Sequence, residues 1–175
     1  MKTIKTALAL LVFTLSLTFV NAQSIDSEKS TVDFTVNNFG VGVEGTLSGL
    51  TGNVKFDAAN LAISSFDVKI PVKTVNTDTE KRDLSLLGED FFHADVHPNI
   101  EFVSNTVTNT DGGFVASGKL TMKGVTKDET ITFKLENGAL VGRIELDRQG
   151  YKVGGSGMLD TIGDEVVINI RCILR

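Results

Sequence analysis

Residues 165–174 read Glu-Val-Val-Ile-Asn-Ile-Arg-Cys-Ile-Leu, and this stretch decides the fold. Every second position in it is apolar: Val166, Ile168, Ile170, Cys172 and Leu174. Successive side chains of a β-strand point to opposite faces, so this period of two predicts a strand with one apolar face. The end of the chain is therefore expected to pack that face against a core.

The same alternation recurs toward the N-terminus. Its clearest apolar sets are Val32, Phe34 and Val36; Phe66, Val68 and Ile70; Ile131, Phe133 and Leu135; and Leu140, Ile144 and Leu146. Weaker strands are expected at residues 44–50, 54–57, 100–108 and 114–122. Short glycine-containing reversals of the kind that link antiparallel neighbours are Asp111-Gly112-Gly113, Asn137-Gly138 and Gly154-Gly155. The pattern predicts one all-β domain of about eight antiparallel strands, and it fits a closed barrel and a two-sheet sandwich equally well.

One segment interrupts the β pattern. Thr77-Asp78-Thr79-Glu80 has the spacing of a capping box, and Leu84 and Leu87 follow it before Gly88. This arrangement predicts a short helix that ends at a glycine. Because the helix falls between two strands, we expect it to cover one end of a barrel.

The N-terminus has the features of a secretory signal peptide. Lys2 and Lys5 precede an apolar stretch over residues 7–20, which ends in Val20-Asn21-Ala22. The stretch is shorter than the roughly 20 residues that span a bilayer, which argues against an uncleaved anchor. We therefore expect cleavage near Ala22, a single domain over residues 23–175, and a periplasmic or secreted protein.

Charge and cysteine content narrow the choice of partners. Without Lys2 and Lys5, 15 of the 17 basic residues remain against 22 acidic ones, a formal charge of −7. This charge opposes binding to nucleic acid or to anionic membrane surfaces. Cys172 is the only cysteine, so no internal disulfide can form. Its position on the apolar side of the last strand predicts a buried, inert thiol.

Four separated segments resemble the sequence pattern of the YceI-like family. The specific matches are Arg82-Asp83-Leu84 with Asp90-Phe91-Phe92, the run Pro-Asn-Ile-Glu-Phe-Val-Ser at 98–104, and the run Gly-Lys-Leu-Thr-Met-Lys-Gly-Val-Thr-Lys at 118–127. Looser matches are Ser30-Thr31-Val32-Asp33-Phe34 with Gly45, and Asp147-Arg148-Gln149-Gly150. The similarity spans residues 25–174. The chain departs from the family pattern at Asn38, where a histidine is frequent, and after Arg148, where an aromatic residue is frequent.

The resemblance implies an extended eight-stranded antiparallel lipocalin-like barrel, which binds polyisoprenoids or other long-chain amphiphiles in its lumen and has no catalytic residues. Fourteen residues are predicted to line that lumen: Val32, Phe34, Val36, Phe66, Val68, Ile70, Phe102, Leu120, Met122, Ile131, Phe133, Ile144, Ile168 and Ile170. Four residues are candidates for contacts at the mouth or with a head group: Arg82, Asp83, Phe91 and Phe92. Each buried CH₂ contributes about 0.8 kcal/mol, so a prenyl or acyl chain can bind without specific polar contacts.

The pattern by itself favours a different interpretation, in which Phe34, Phe66, Phe102 and Phe133 fill the core. The alternative function is then a structural or adhesive all-β domain without a ligand. The resemblance favours the open lumen, and with it a carrier of a polyisoprenoid, a quinone precursor or a fatty-acid-like amphiphile. A third interpretation, an outer-membrane barrel, is disfavoured because tryptophan is absent and Tyr151 is the only tyrosine, so aromatic girdles cannot form.

Metal and catalytic sites are not expected. His93 and His97 flank Asp95, but Pro98 follows at once and the sequence has no third histidine. The sequence also places no serine or cysteine nucleophile beside a plausible base. We therefore expect a non-enzymatic protein whose partner is a small-molecule lipid, with no nucleic acid, no insertion into a membrane and no cofactor. An exposed strand edge or the barrel mouth is the expected place for a homodimer contact.

Overall fold

A computed structural model describes residues 23–154 and 161–175 of the chain. The predicted signal peptide, residues 1–22, lies outside the described residues, as does Gly155 of the Gly154-Gly155 reversal. Within these described residues, ten strands form one antiparallel sheet, and one α-helix, α1, lies at Glu80–Leu87. The strands are β1 Gln23–Ser24, β2 Thr31–Asn38, β3 Val41–Leu47, β4 Thr51–Lys55, β5 Ser65–Pro71, β6 Asn99–Thr110, β7 Gly113–Met122, β8 Val125–Glu136, β9 Ala139–Asp147 and β10 Ile162–Ile173.

The all-β prediction is confirmed, and two of the predicted reversals, Asp111-Gly112-Gly113 and Asn137-Gly138, join consecutive long strands. β8 and β9 are joined by Asn137 and Gly138 alone, with φ angles of 50° and 79°. Positive φ at both positions is what a two-residue type I′ turn needs, and asparagine and glycine tolerate it best. Such turns match the twist of the flanking strands, so the sheet runs as a meander from β4 to β10.

The predicted number of eight strands is wrong, because two barrel positions are each occupied by two short strands. The sheet order is β1-β4-β5-β6-β7-β8-β9-β10-β2-β3. β1 and β2 both lie along β10, separated by a turn in which the amides of Lys29 and Ser30 donate to the carbonyl of Asp26. β3 and β4 follow each other in the same way, with Gly49 at a φ of 78° between them. The turns replace ladder hydrogen bonds that an unbroken strand would have made.

The sheet curls until β1 meets β10. The amide of Asp26 donates to the carbonyl of Ile173, and the amide of Arg175 donates to that of Ser24, both at 2.8 Å. The wall is looser beside β3, where an isolated bridge joins Thr46 of β3 to Asn76, in the segment between β5 and α1. The barrel is therefore well closed near the chain ends and is covered at the other end by the segment that carries α1.

The predicted helix is present, and it ends before Gly88 as expected, but the capping box is wrong. The residue that precedes the helix is Thr79, and its side chain makes no capping hydrogen bond. Asp83 instead reaches back to Thr77 and accepts hydrogen bonds from its amide at 2.9 Å and its hydroxyl at 2.5 Å. The carboxylate of Asp83, inside the helix, thus holds Thr77, which lies in the segment that precedes the helix.

The core lies inside the curled sheet and is built from inward-facing residues of the strands. The outer face carries charged residues such as Asp67, Lys69, Lys134, Arg143 and Glu145, all of them exposed. Within residues 23–154 and 161–175, no helix has the length and apolar character needed to cross a membrane.

Candidate functional site

The interior of the barrel holds two adjoining cavities. The first, of about 160 Å³, lies beneath α1, and the second, of about 140 Å³, lies deeper in the barrel. Both are lined by the same six residues where they meet: Val32, Leu47, Ile100, Met122, Leu146 and Ile168. Together they offer on the order of 300 Å³, at the lower end of the range for ligand pockets.

All fourteen residues predicted to line the lumen lie on the walls of these cavities. Phe34 and Val36 line the first cavity, and Val32, Met122 and Ile168 line both. The remaining nine line the second: Phe66, Val68, Ile70, Phe102, Leu120, Ile131, Phe133, Ile144 and Ile170. The parity of each strand was sufficient to place them, because one face of a curled sheet turns inward along its whole length. Whether they contact a ligand remains a prediction.

A cluster of four phenylalanines borders the deep end of the second cavity. Phe56 packs edge-on against Phe114 and Phe133 with ring centroids 5.0 and 5.4 Å apart, and Phe66 packs against Phe133 at 5.3 Å. Phe114 and Phe133 are stacked at 5.4 Å. Edge-to-face and stacked contacts at these distances are favourable. The phenylalanines thus fill one end of the barrel and leave space above it.

The predicted mouth residues divide into two groups. Arg82, Phe91 and Phe92 line the first cavity, whereas Asp83 is absent from its lining. Arg82 donates from Nε to the Thr77 hydroxyl at 2.7 Å and from Nη2 to the Thr77 carbonyl at 2.6 Å. Since Asp83 also binds Thr77, these two charged residues hold the start of the helical segment in place.

The loop between α1 and β6 is fastened over the cavity by Lys123. Its ammonium group donates to the carbonyl of Asp90 at 3.0 Å and to that of Lys152 at 2.7 Å. Burial lowers the pKa of Lys123, against an opposing effect of the Asp90 carboxylate. A further hydrogen bond runs from the amide of Gly154 to the carbonyl of Asp90 at 2.8 Å. The cover is therefore tied to the turn that follows β9.

Arg148 is a cavity-lining residue that the sequence interpretation did not select. Only 5% of it is exposed, and its guanidinium donates to three carbonyls: Gly163 at 2.9 Å, Val153 at 2.9 Å and Ile162 at 2.7 Å. It also contacts the carboxylate of Asp164 at 3.1 Å. Buried charges need such partners. Arg148 belongs to the Asp147-Arg148-Gln149-Gly150 segment that resembles the family pattern, and that match is the sequence signal that could have selected it.

Tyr151, also missed, forms part of the wall of the first cavity. It is 1% exposed, and its hydroxyl donates to Oε1 of Glu129 at 2.7 Å. Lys127 lies 5.3 Å from the centre of its ring. Burial, together with the negative charge of Glu129, raises the pKa of the phenol. As the single tyrosine of an acidic chain, it could have been singled out from composition.

The remaining candidates lie apart from this mouth. Cys172 lines the second cavity, and burial raises the pKa of its thiol to about 11. The rings of His93 and His97 have centroids 6.0 Å apart. Among the residues that the structure describes, no three His, Cys, Asp or Glu side chains are grouped so that they could hold a metal ion.

The cavities are lined mainly by apolar side chains. Of their polar lining residues, Arg148 and Tyr151 direct their polar atoms to protein partners, whereas Oδ1 of Asn38 in the first cavity is buried without a hydrogen-bond partner among the described residues. Such a surface stabilises an apolar chain in proportion to the area removed from water.

Solved structures with the same fold include BcnA of Burkholderia cenocepacia, which has a TM-score of 0.75 at 27% identity over 85% of this chain and 98% of BcnA. The Campylobacter jejuni YCEI protein gives 0.65 at 24% identity over 76% and 85%. A polyisoprenoid binding domain from Saccharophagus degradans gives 0.63 at 15% identity over 86% and 96%. At identities below 25%, the last two structures show similarity of fold alone.

Curated relatives are similar over a shorter range. A UPF0312 protein of Photorhabdus laumondii is 28% identical over 131 residues, which are 74% of this chain and 66% of that relative. A UPF0312 protein of Yersinia pestis is 30% identical over 132 residues, or 74% and 69%. The chain thus spans about two thirds of the length of the relatives that it matches. The family model described as the YceI-like domain matches residues 23–174. The chain therefore belongs to the YceI-like family.

Proposed function

We propose that this protein binds one long apolar lipid chain inside its barrel and acts as a carrier rather than an enzyme. The observation that carries the proposal is the pair of adjoining apolar cavities, which share six lining residues and run beneath α1 toward the phenylalanine cluster. A chain threaded through both gains about 0.8 kcal/mol for each CH₂ removed from water. The Saccharophagus domain of the same fold is described as polyisoprenoid binding, which supports a prenyl chain as the ligand.

The filled-core alternative has less support from the geometry. Phe34, Phe66, Phe102 and Phe133 all lie on cavity walls, and space remains between them. Empty apolar space lowers stability, since each missing contact forfeits transfer and packing energy. A domain with a purely structural role gains nothing from such space, whereas a carrier requires it.

The proposal includes export to the periplasm or the exterior. The basic start and the apolar stretch before Ala22 support it. The exposed charges on the outer face of the barrel support a surface that meets water.

The direct test is to identify what the purified protein contains. Protein isolated from its own cell envelope should release a long-chain lipid on solvent extraction, and native mass spectrometry should show the corresponding added mass. An empty barrel by both methods, together with failure of long-chain alcohols and prenyl chains to bind, would contradict the proposal.

A pair of substitutions on β7 tests where the chain lies. Ala116 is buried and lines the second cavity, so Ala116→Phe should occupy part of that space and weaken binding of long chains by roughly tenfold or more. The next residue, Ser117, has its hydroxyl on the exposed outer face. Ser117→Phe adds the same ring outside the barrel and should leave affinity unchanged. Equal affinities for the two variants would show that the chain does not enter the second cavity.

A further inference from the structure

The tip of the β2–β3 hairpin presents two apolar side chains to solvent. Phe39 is 77% exposed and Val41 is 66% exposed. Scattered single apolar residues are common on protein surfaces, but these two lie two positions apart at one protruding turn. We call Phe39 and Val41 the apolar tip.

The apolar tip lies at the rim of the first cavity. In the strand register, Val41 pairs with Asn38 and Val43 pairs with Val36. Asn38, Val36 and Val43 all line the cavity. Val41 has the same parity as Val43, so it faces the same side of β3 but lies one step beyond the end of the lumen. Its exposure follows from that position.

Phe39 has a backbone conformation that a phenylalanine rarely adopts. Its φ angle is 52°, followed by 78° at Gly40. The turn is held by the amide of Gly40, which donates to Oδ1 of Asn37 at 2.8 Å, and by the amide of Phe39, which donates to the carbonyl of Thr161 at 2.9 Å. Bulky residues with positive φ are strained, and asparagine or glycine suits such a turn better. The exposed ring of Phe39 stabilises neither the turn nor the core. We therefore infer that it contacts another molecule.

The tip is also free of charge. From Phe34 to Val43 the sequence contains no charged residue, in a chain in which 22% of residues are charged. A tip of this kind enters the interface of a bilayer without removing a charge from water. A protein partner is a poorer fit, because two side chains bury a few hundred Å² at most, against about 1,200 Å² for a stable interface.

We propose that the apolar tip docks onto the surface of a lipid bilayer and holds the rim of the first cavity against it, so that a lipid chain passes between membrane and barrel without crossing water. The passage of the chain rests on the function proposed above, whereas the docking does not. The net negative charge of the protein favours an uncharged, zwitterionic surface over an anionic one.

Single tryptophans report the docking directly, because the chain has no tryptophan of its own. Phe39→Trp places the reporter at the tip. Leu135→Trp is the matched control: Leu135 is 51% exposed and pairs with Leu140 beside the β8–β9 turn, at the opposite end of the barrel. With phosphatidylcholine vesicles, the emission of Phe39→Trp should shift to shorter wavelength and be quenched by bromine-labelled acyl chains, and that of Leu135→Trp should not. Any membrane contact made by the N-terminus is the same in both variants, so a difference between their emission spectra reports contact at the tip. Identical behaviour of the two would overturn the proposal.

Transfer kinetics test the consequence of docking. Phe39→Asn suits the backbone of the turn and removes the ring. It should leave the equilibrium affinity for a fluorescent long-chain amphiphile unchanged and slow transfer to vesicles roughly tenfold. Transfer from the unsubstituted protein should accelerate with vesicle concentration, and that of Phe39→Asn should lose this dependence.

Two outcomes separate the proposals from each other and from self-association. If no amphiphile binds while Phe39→Trp still shifts on vesicles, the carrier function fails and the docking stands. If Phe39→Trp shifts with protein concentration in the absence of vesicles, and the protein doubles in mass by light scattering, the tip is a contact between two copies and the docking proposal is overturned.

Discussion

The hydroxyl of Tyr151 lies 2.7 Å from Oε1 of Glu129 and donates a hydrogen bond to it. The bond joins the turn after β9 to β8, and the ring above it forms part of the wall of the first cavity. This hydrogen bond therefore stabilises the contact between the turn and β8, and it also holds the Tyr151 ring in the wall of the first cavity.

Tyr151→Phe removes the hydroxyl and keeps the ring. We expect the free energy of unfolding to fall by about 1.5 kcal/mol, the lower part of the range for a hydrogen bond to a charged group, because Glu129 is only half-buried and regains water. Urea unfolding followed by circular dichroism measures it. Tyr151→Ala should cost about 3 kcal/mol or more, since it also enlarges the cavity. Equal losses for both variants would show that packing of the ring contributes nothing.

The same contact predicts a loss of stability at alkaline pH. Burial raises the pKa of Tyr151 above the ordinary value of 10.0, so the folded protein holds the proton more tightly than the unfolded chain. Stability from this group is complete below pH 10 and falls above it, by at most about 1.4 kcal/mol per pH unit. Tyr151→Phe should lack this part of the decline. Ultraviolet absorbance gives the titration without interference, because Tyr151 is the only tyrosine and tryptophan is absent.

The seam between β1 and β10 predicts an effect at acid pH. Asp26 is 7% exposed in its side chain and accepts a hydrogen bond from Arg175 at 2.8 Å, which with the charge of Arg175 lowers its pKa to about 2 from an ordinary 3.8. Stability from this pair is present above pH 4 and should be lost as the pH falls toward 2. Thermal unfolding at a series of pH values measures it.

Asp26→Asn is the variant for that test. It should have a lower Tm at neutral pH and a flatter dependence between pH 4 and 2. Asp67→Asn, at an exposed aspartate of β5, is the control and should follow the unsubstituted protein. If Asp26→Asn shows the same acid decline as the control, the seam is not stabilised by this ion pair.

Much of the fold and of the cavity wall could be predicted from the sequence, because both follow from the period of two. Phe34 and Ile168 lie on inward faces of neighbouring strands, and parity alone places them there. The breaks between β1 and β2 and between β3 and β4 could not be predicted in this way. They depend on local turns at Asp26 and Gly49. Each turn replaces interstrand hydrogen bonds, and whether the turn or an unbroken strand is more stable depends on contacts that form only in the folded barrel.

Polar residues of the site were harder to assign, because their positions depend on long-range partners. Arg148 is buried only because Ile162 and Gly163 bring their carbonyls back to it across a reversal. Asp83 was expected at the mouth, yet it binds Thr77 instead of facing the cavity. Charge in a sequence marks such a residue as important without giving the direction in which it points.

Cys172 offers a measurement of whether a chain occupies the deep cavity. Its thiol lines that cavity, and with a pKa of about 11 against an ordinary 9.0 it has roughly 100-fold fewer thiolates than a free cysteine near neutral pH. We expect a maleimide to react at least that much more slowly with the folded protein than with protein unfolded in guanidinium. A bound long-chain amphiphile should slow the reaction further, since the reagent and the chain compete for the same space. The combined variant Cys172→Ser with Ser117→Cys moves the thiol to the outer face of β7, where the rate should be insensitive to the amphiphile. If the amphiphile slows both thiols equally, or slows neither while native mass spectrometry shows it bound, the chain does not occupy the space beside Cys172.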